Sequence, residues 1–276
     1  MKIDKFLERV KQSILLECSR ISTRYLNNFL KKYQRFIILG TYRVGSNYLR
    51  TLLSPHSKIA MYDEVFNRQK NLLIAAKDPR DYLENVIFRI FLGKPKSAAV
   101  GFKIMYDQPR LACLPSPIPE ETLRSLAEVW PILKNMKDLK VIHLKRRNML
   151  RTFLSFEVAN RSRKYLQNIT ENSEEAEPIA LDYNALLEYF EKTSKYRIYY
   201  DEYFKGHPVI EIFYEDLVEN CEKEMRKIFE LLNLRYEKTH SCLKKQSTRK
   251  DSDAISNYYE LKDKFRDTQW GAFFEN

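Results

Sequence analysis

Histidine is scarce in this 276-residue chain, four in all and never clustered, which argues against a histidine-rich metal site. The four cysteines, Cys18, Cys113, Cys221 and Cys242, are scattered, with no Cys-x-x-Cys pair and no zinc-like spacing to a histidine. A reducing, cytoplasmic setting is therefore the expectation. No apolar run approaches the ~20 residues that cross a bilayer, so no transmembrane helix is expected. The opening MKIDKFLERVKQ lacks the apolar core and small-residue cleavage site of a signal peptide.

What the chain does hold is an ordinary globular composition. Apolar residues make up 44% and aromatics 13%, which argues against disorder. The length accommodates one sizeable core or two small domains. A net charge of +11 attracts anions without saying which. Nucleic acid, an anionic membrane surface and a phosphorylated cofactor are all compatible with it.

Residues 1–35 place Ile3, Phe6, Leu7, Val10, Ile14, Cys18, Ile21, Tyr25 and Phe29 at helical spacing with basic residues between. One reading packs this amphipathic helix on the main domain, and another lays it on a membrane surface. Strands and helices then alternate. Residues 36–40, 98–106 (AAVGFKIMY), 139–144 (LKVIHL) and 207–213 (HPVIEIF) read as strands. Helices are expected over 46–53, 120–136 with a kink at Pro131, 148–165, 181–205 and 217–232, and QNITENSEEAEP reads as an exposed loop. Strands separated by helices predict an α/β fold with a parallel sheet flanked by helices. There is no internal repeat or clear linker, so residues 36–276 are expected to form a single domain.

The stretch FIILGTYRVGSNYL, residues 36–49, has the layout of a phosphate-binding loop: strand, glycine-bounded turn, helix. Gly40 and Gly45 keep the G-x-x-x-x-G spacing that lets backbone N–H groups turn inward toward a helix N-terminus. Ser46-Asn47 stands where a triphosphate loop carries lysine and a hydroxyl, and the basic residue is instead Arg43. That argues against kinase or ATPase chemistry but suits a single terminal phosphate. A second basic turn lies in VIHLKRRNMLRTFLSFEVA. Arg147 ends the strand, and Ser155 follows eight residues on, about two helical turns. Both can lie on one side of that helix, the arginine fork and the hydroxyl meeting a second phosphate. Taken singly, each element also fits an ordinary tight turn or a solvated basic one.

Together, TYRVGSNYL (41–49) and RRN with Ser155 resemble the 5′-phosphosulfate loop and the 3′-phosphate element of the sulfotransferases. GFKIMYDQ (101–108) and the Glu-x-Phe of YDEVF (62–66) are most similar to the bacterial branch that includes the nodulation-factor and trehalose enzymes. The resemblance implies a P-loop-like sulfotransferase fold with an N-terminal helical extension. It implies the cofactor 3′-phosphoadenosine 5′-phosphosulfate (PAPS), leaving as 3′-phosphoadenosine 5′-phosphate (PAP), bound by Thr41, Tyr42, Arg43, Val44, Gly45, Ser46, Asn47, Tyr48, Arg147 and Ser155. In these enzymes a late basic loop closes over the 3′-phosphate, and Ser247-Thr248-Arg249 is similar to it; Arg249 is the expected contact, with Lys245 and Lys250 beside it. The implied acceptor is a hydroxyl of a carbohydrate or glycolipid.

Sulfuryl transfer is an in-line displacement in which the protein positions two oxygens, neutralises the leaving one and takes a proton from the acceptor. Cationic side chains can do the neutralising, so no metal is required. A base is sought soon after the first helix. Glu64 qualifies, and the resemblance implies the same residue; Asp63, where a glycine is common, is a competitor or perturber. Lys103, flanked by Phe102, Ile104 and Met105, is costly to bury without a partner and could reach the transferring group. Arg43 has the electrophilic role. His56 and His143 are weaker bases, His143 reading as a packed core residue. Tyr48, Tyr62, Phe66 and Tyr106 would suit stacking against a sugar. The YEDL of residues 214–217 reads as the acidic opening of a helix. Two rivals remain: a nucleotide kinase or other P-loop phosphotransferase, which needs a loop lysine, and a non-enzymatic basic protein binding nucleic acid or membrane, which needs its charge massed on one face. The concentration of basic residues at two strand-to-helix junctions favours a discrete anionic ligand over nucleic acid. Peripheral contact with the inner membrane face through residues 1–35 stays open.

Overall fold

β1 (Gln34–Gly40) runs through the middle of the molecule, with Phe36, Ile37, Ile38 and Leu39 all fully buried. A strand apolar on both faces belongs at the centre of a parallel sheet covered on both sides. The computed structural model describes residues 33–88, 97–162, 177–240 and 249–275, and every element below belongs to one unit, Gln34–Asn276. The helix expected within residues 1–35 falls outside the described residues up to position 32, and so does most of the acidic loop.

The other strands are β2 (Ile59–Glu64), β3 (Ala99–Met105), β4 (Leu139–Lys145) and β5 (Val209–Phe213). They form one five-stranded sheet in the order β2-β3-β1-β4-β5, with every pairing parallel. The chain leaves β1 through α1 (Ser46–Leu53) toward β2, which α2 (Gln69–Ala75) follows, and leaves β4 toward β5 on the opposite side. The loops after β1 and β4 therefore diverge over a crevice at the carboxyl edge, which is where open α/β sheets bind ligands.

One face of the sheet buries Phe36, Ile38, Ile142, Leu144 and Ile212 against Leu49, Leu52 and Leu53 of α1. Each such side chain contributes about 1.5–3 kcal/mol by leaving water. A second apolar cluster joins Met149, Leu150 and Phe153 to Leu186, Phe190, Leu261, Phe265 and Phe274. Among the described residues no helix is long and apolar enough to cross a membrane.

Three elements differ from the sequence expectation. The helix expected over 120–136 is two, α3 (Glu120–Ala127) and α4 (Val129–Asn135). Pro131 lacks the N–H that a continuous helix would bond to residue 127, and sits comfortably only in a first turn. The helix after β5 starts early and is divided into α7 (Tyr214–Glu219) and α8 (Cys221–Leu231) by the non-helical Asn220; the long helices before β5 are α5 (Met149–Ser162) and α6 (Tyr183–Tyr203). Finally, β2 was not expected at all.

Candidate active site

The loop between β1 and α1 turns through two left-handed residues, Arg43 at φ 62° and Gly45 at φ 98°. At Gly45 a side chain is strained by that angle and obstructed as well, since a Cβ there would stand 2.3 Å from the Tyr214 ring. No side chain caps α1, so the N–H groups of its first turn point to an anion or to water. Val44 is buried, and Tyr48 packs edge-on against Tyr214 at 6.3 Å between ring centres. Their side chains serve the core, leaving backbone N–H groups for a ligand. Ser46 is buried at the helix start, Thr41 and Tyr42 are half-buried, and the Tyr189 hydroxyl lies beside Thr41.

Arginines gather at the β4 side of the crevice. Arg43 Nε donates to Ser155 Oγ at 3.0 Å, joining the loop to α5. Arg146 extends Nη1 toward the Arg43 carbonyl at 3.5 Å, lies over the Tyr214 ring at 5.0 Å, and comes within 4.0 Å of Glu215. Burial pushes its pKa down, and its buried Nε has no hydrogen-bond partner among the described residues. Arg197 of α6 donates from Nη2 to the Arg146 carbonyl at 2.6 Å and likewise has a buried, unbonded Nε. Buried donors without acceptors cost about 1–3 kcal/mol each, a cost that an anion within their reach would offset.

Arg147 turns the other way. Its guanidinium grips Asp216 with both ends, at 2.6 and 2.8 Å, and lies over Phe213 at 4.3 Å, half-exposed. The bidentate bond to Asp216 raises its pKa. Of the two neighbouring arginines it is Arg146, which the sequence reading did not single out, that faces the loop. Arg249 is half-buried. Two residues on, Asp251 accepts from Arg151 Nε at 2.9 Å, tying that segment to the helix of Ser155. Ser247, Thr248 and Lys245 lie outside the described residues.

The β3 side of the crevice holds an ammonium and two carboxylates. Lys103 is fully buried, so its charge needs partners. Nζ bonds to Asn47 Oδ1 in the first turn of α1, to Asp63 Oδ1 at 2.7 Å, and more distantly to Glu64 Oε1 at 3.4 Å. Burial works against ionisation of Asp63, yet the Lys103 charge, with Arg50, holds its carboxyl below the usual range. Glu64 is held instead by amides, Oε2 accepting from Asn67 Nδ2 at 2.8 Å and Gln108 Nε2 at 2.9 Å. Neither Asn67 nor Gln108 was given a role from sequence; the polar tail of GFKIMYDQ was the only signal. Lys103, Glu64 and Asn47 are thus brought together, as are Arg43 and Ser155.

The remaining candidates serve structure. His56 Nε2 donates to the Arg235 carbonyl at 3.1 Å, and its Nδ1 accepts from the Lys58 N–H at 3.0 Å. His143 is buried between Tyr106 and Asp201. Phe66 and Tyr106 are buried too, while Tyr42 and Tyr62 keep part of their surface. Among the described residues no group of three His, Cys, Asp or Glu side chains could hold a metal ion. Cys113 and Cys221 are free thiols.

A parallel sheet whose crevice pairs an arginine-lined anion loop with a buried lysine and a carboxylate defines a group-transfer enzyme of the α/β class. The chain belongs to the sulfotransferases: residues 35–238 match the model of the family described as Sulfotransferase family. Nodulation protein H of Rhizobium meliloti is 26% identical over 217 residues, 78% of this chain and 81% of that protein. Two solved structures align with it. A sulfotransferase from Alicyclobacillus acidocaldarius has 14% identity over 87% of this chain and 95% of that one, with a TM-score of 0.41. Mouse sulfotransferase SULT7A1 complexed with PAP has 16% identity over 88% of each chain, with a TM-score of 0.44. This chain is a sulfotransferase, which removes the kinase and non-enzymatic readings.

Proposed function

We propose that the enzyme moves a sulfuryl group from PAPS to a hydroxyl of a carbohydrate or glycolipid acceptor by in-line displacement. The donor set fits such a cofactor: a left-handed loop, an uncapped helix start, and the buried Nε groups of Arg146 and Arg197, which have no acceptor among the described residues. PAPS supplies an electrophilic sulfuryl group on a phosphate leaving group. The backbone of residues 41–48 and Arg43 would hold its phosphosulfate end, where Arg43 carries the positive charge that the departing oxygen needs. Ser155 and Arg146 would hold the 3′-phosphate, with Arg249 on the closing edge. Arg147 joins them only by releasing Asp216, so it is assigned the architecture of the junction.

Glu64 accepts the proton of the acceptor hydroxyl on Oε1. Lys103 spans the gap between Asn47 at the loop and the two carboxylates of β2, and steadies negative charge between them. That link from loop to carboxylate is the observation that carries the proposal. Of the rings named from the sequence for stacking, Tyr62 is still partly exposed and is left to stack on a sugar, and the half-buried Tyr42 joins it in the proposal. The cytoplasm remains the proposed compartment, on the scattered spacing of the cysteines; peripheral membrane contact through residues 1–35 is part of the same proposal.

Calorimetric titration with PAP, with and without magnesium, on wild type, Arg146→Ala and Arg147→Ala tests this reading. Two phosphates held by arginine and backbone donors should give roughly micromolar affinity, about −8 kcal/mol, indifferent to magnesium. Arg146→Ala should weaken it at least about tenfold, the loss of a charged hydrogen-bond donor, and Arg147→Ala much less. The reverse order returns the phosphate to Arg147. No binding, or binding matched by ATP only with magnesium, defeats the proposal.

A further inference from the structure

Gln108 sits in the turn after β3, almost wholly buried, and every hydrogen-bonding group it has is engaged. Its backbone N–H donates to the Met105 carbonyl at 3.0 Å, and its own carbonyl accepts the Trp130 indole N–H at 2.7 Å. These bonds fix the backbone of the turn. The side chain then spans the end of β3: Oε1 accepts the Met105 N–H at 3.2 Å, and Nε2 donates to Glu64 Oε2 at 2.9 Å and reaches the Tyr42 hydroxyl at 3.4 Å. The amide can face only one way. Rotated by half a turn it would aim an N–H at an N–H and an oxygen at a carboxylate.

The effect falls on Glu64. Asn67 and Gln108 both donate to Oε2, so Oε2 is occupied, while among the described residues Oε1 meets just the 3.4 Å approach of Lys103. Asp63 meanwhile takes Lys103 closely, at 2.7 Å. Of the two carboxylates, one spends its lone pairs on the ammonium and the other is kept open by neutral donors behind it.

We propose that Gln108 is a positioning residue for the transfer reaction, holding the Glu64 carboxylate so that Oε1 is the oxygen that meets the acceptor hydroxyl. This rests on the reading of Glu64 as the base. A base must lie within hydrogen-bond reach of its proton in the right orientation, and a displacement of about 1 Å can cost about a hundredfold in rate.

The test uses the full chain labelled with 13C at the glutamate carboxyl carbons, the Glu64 resonance being assigned by its loss in Glu64→Gln. It is titrated in wild type, Gln108→Leu and Gln108→Glu, each also measured for PAP affinity. Gln108→Glu keeps the acceptor for Met105 but sets two carboxylates face to face, so the Glu64 midpoint should rise by about one pH unit or more, as like charges sharing a site require. Gln108→Leu should raise it by less, and both should bind PAP as wild type does, within about threefold, since Gln108 meets the 41–48 loop through the Tyr42 hydroxyl at 3.4 Å and not through the backbone groups that would hold phosphate. With PAPS and a panel of neutral oligosaccharides, kcat should fall at least about tenfold in Gln108→Leu with the KM for PAPS unchanged. A Glu64 midpoint unmoved in both variants, or an unchanged kcat, overturns the proposal. Failure of wild type to bind PAP overturns the PAPS reading instead, and leaves the carboxyl titration to judge Gln108 on its own.

Discussion

Asp63 and Glu64 are adjacent carboxylates that meet one ammonium, yet they are held by different partners and are expected to behave differently. Asp63 is bound closely to Lys103 and is half-exposed; Glu64 is more buried and backed by two amides. Replacing Glu64 by Gln removes the proton acceptor and should lower kcat by about 10²–10⁴-fold, the usual share of a general base. Asp63→Asn leaves Lys103 a neutral oxygen and should keep kcat within about tenfold. Radiolabel transfer from 35S-PAPS to neutral oligosaccharides measures both, and a larger loss in Asp63→Asn would exchange the two roles. The meeting of Lys103 with Glu64 and of Arg43 with Ser155 could be anticipated, because residue type and spacing nominate all four; the inward turn of Arg146 could not. Which of two consecutive arginines turns inward depends on where β4 ends and on what waits outside, here Asp216 of α7 for Arg147. Gln108 and Asn67 were illegible for a related reason: an amide acquires a role only from the groups that surround it.

At the scale of elements, the strand–loop–helix unit from β1 to α1 depends on one glycine. Gly45→Ala places a methyl where the Tyr214 ring stands, at a left-handed φ. Strain of this kind costs on the order of 1–3 kcal/mol. In a domain of this size that lowers Tm by roughly 2–10 °C, and PAP affinity should fall with it as the loop shifts. Differential scanning fluorimetry and calorimetry on the variant check both; an unchanged Tm would mean that Tyr214 moves aside freely. The loop could be read from sequence because its glycine spacing and flanking apolar run are local signals. So could β3, β4 and β5, whose apolar stretches are bounded by polar turns. β2 could not. It is a six-residue edge strand, IAMYDE, its pairing interrupted between Met61 and Glu64 and its end polar, with Asp63 and Glu64 turned to Lys103. The division of α7 from α8 at Asn220 was equally hidden, since the apolar spacing of residues 217–232 continues across it.

Across the whole molecule, a buried polar chain links the sheet to α6 and makes stability depend on pH. The Tyr106 hydroxyl donates to His143 Nε2 at 2.6 Å, and His143 Nδ1–H donates to Asp201 at 2.8 Å. Lys145 bonds to Asp201 at 2.7 Å and also to Glu211. Burial, assisted by the Lys145 charge, pushes the pKa of His143 below its ordinary 6.5 despite Asp201. Burial opposes ionisation of Asp201, but His143 and Lys145 hold its carboxyl down to about 2. Both shifts act in the same direction. Below pH 6.5 an unfolded His143 takes a proton that the folded one refuses, so stability falls as pH falls from that point. Asp201 contributes stability that is complete above about pH 4 and is lost as pH falls through about 2. The His143 share can reach at most about 1.4 kcal/mol one pH unit below 6.5, or roughly 2–4 °C in Tm. His143→Gln keeps a group that can accept from Tyr106 and donate to Asp201 but cannot be protonated. The fall in Tm between pH 8 and pH 5.5 should therefore be smaller in His143→Gln than in wild type, by up to that amount. Equal falls in the two proteins would place the acid sensitivity elsewhere in the chain and leave the Tyr106–His143–Asp201 chain a purely structural brace beneath the loop.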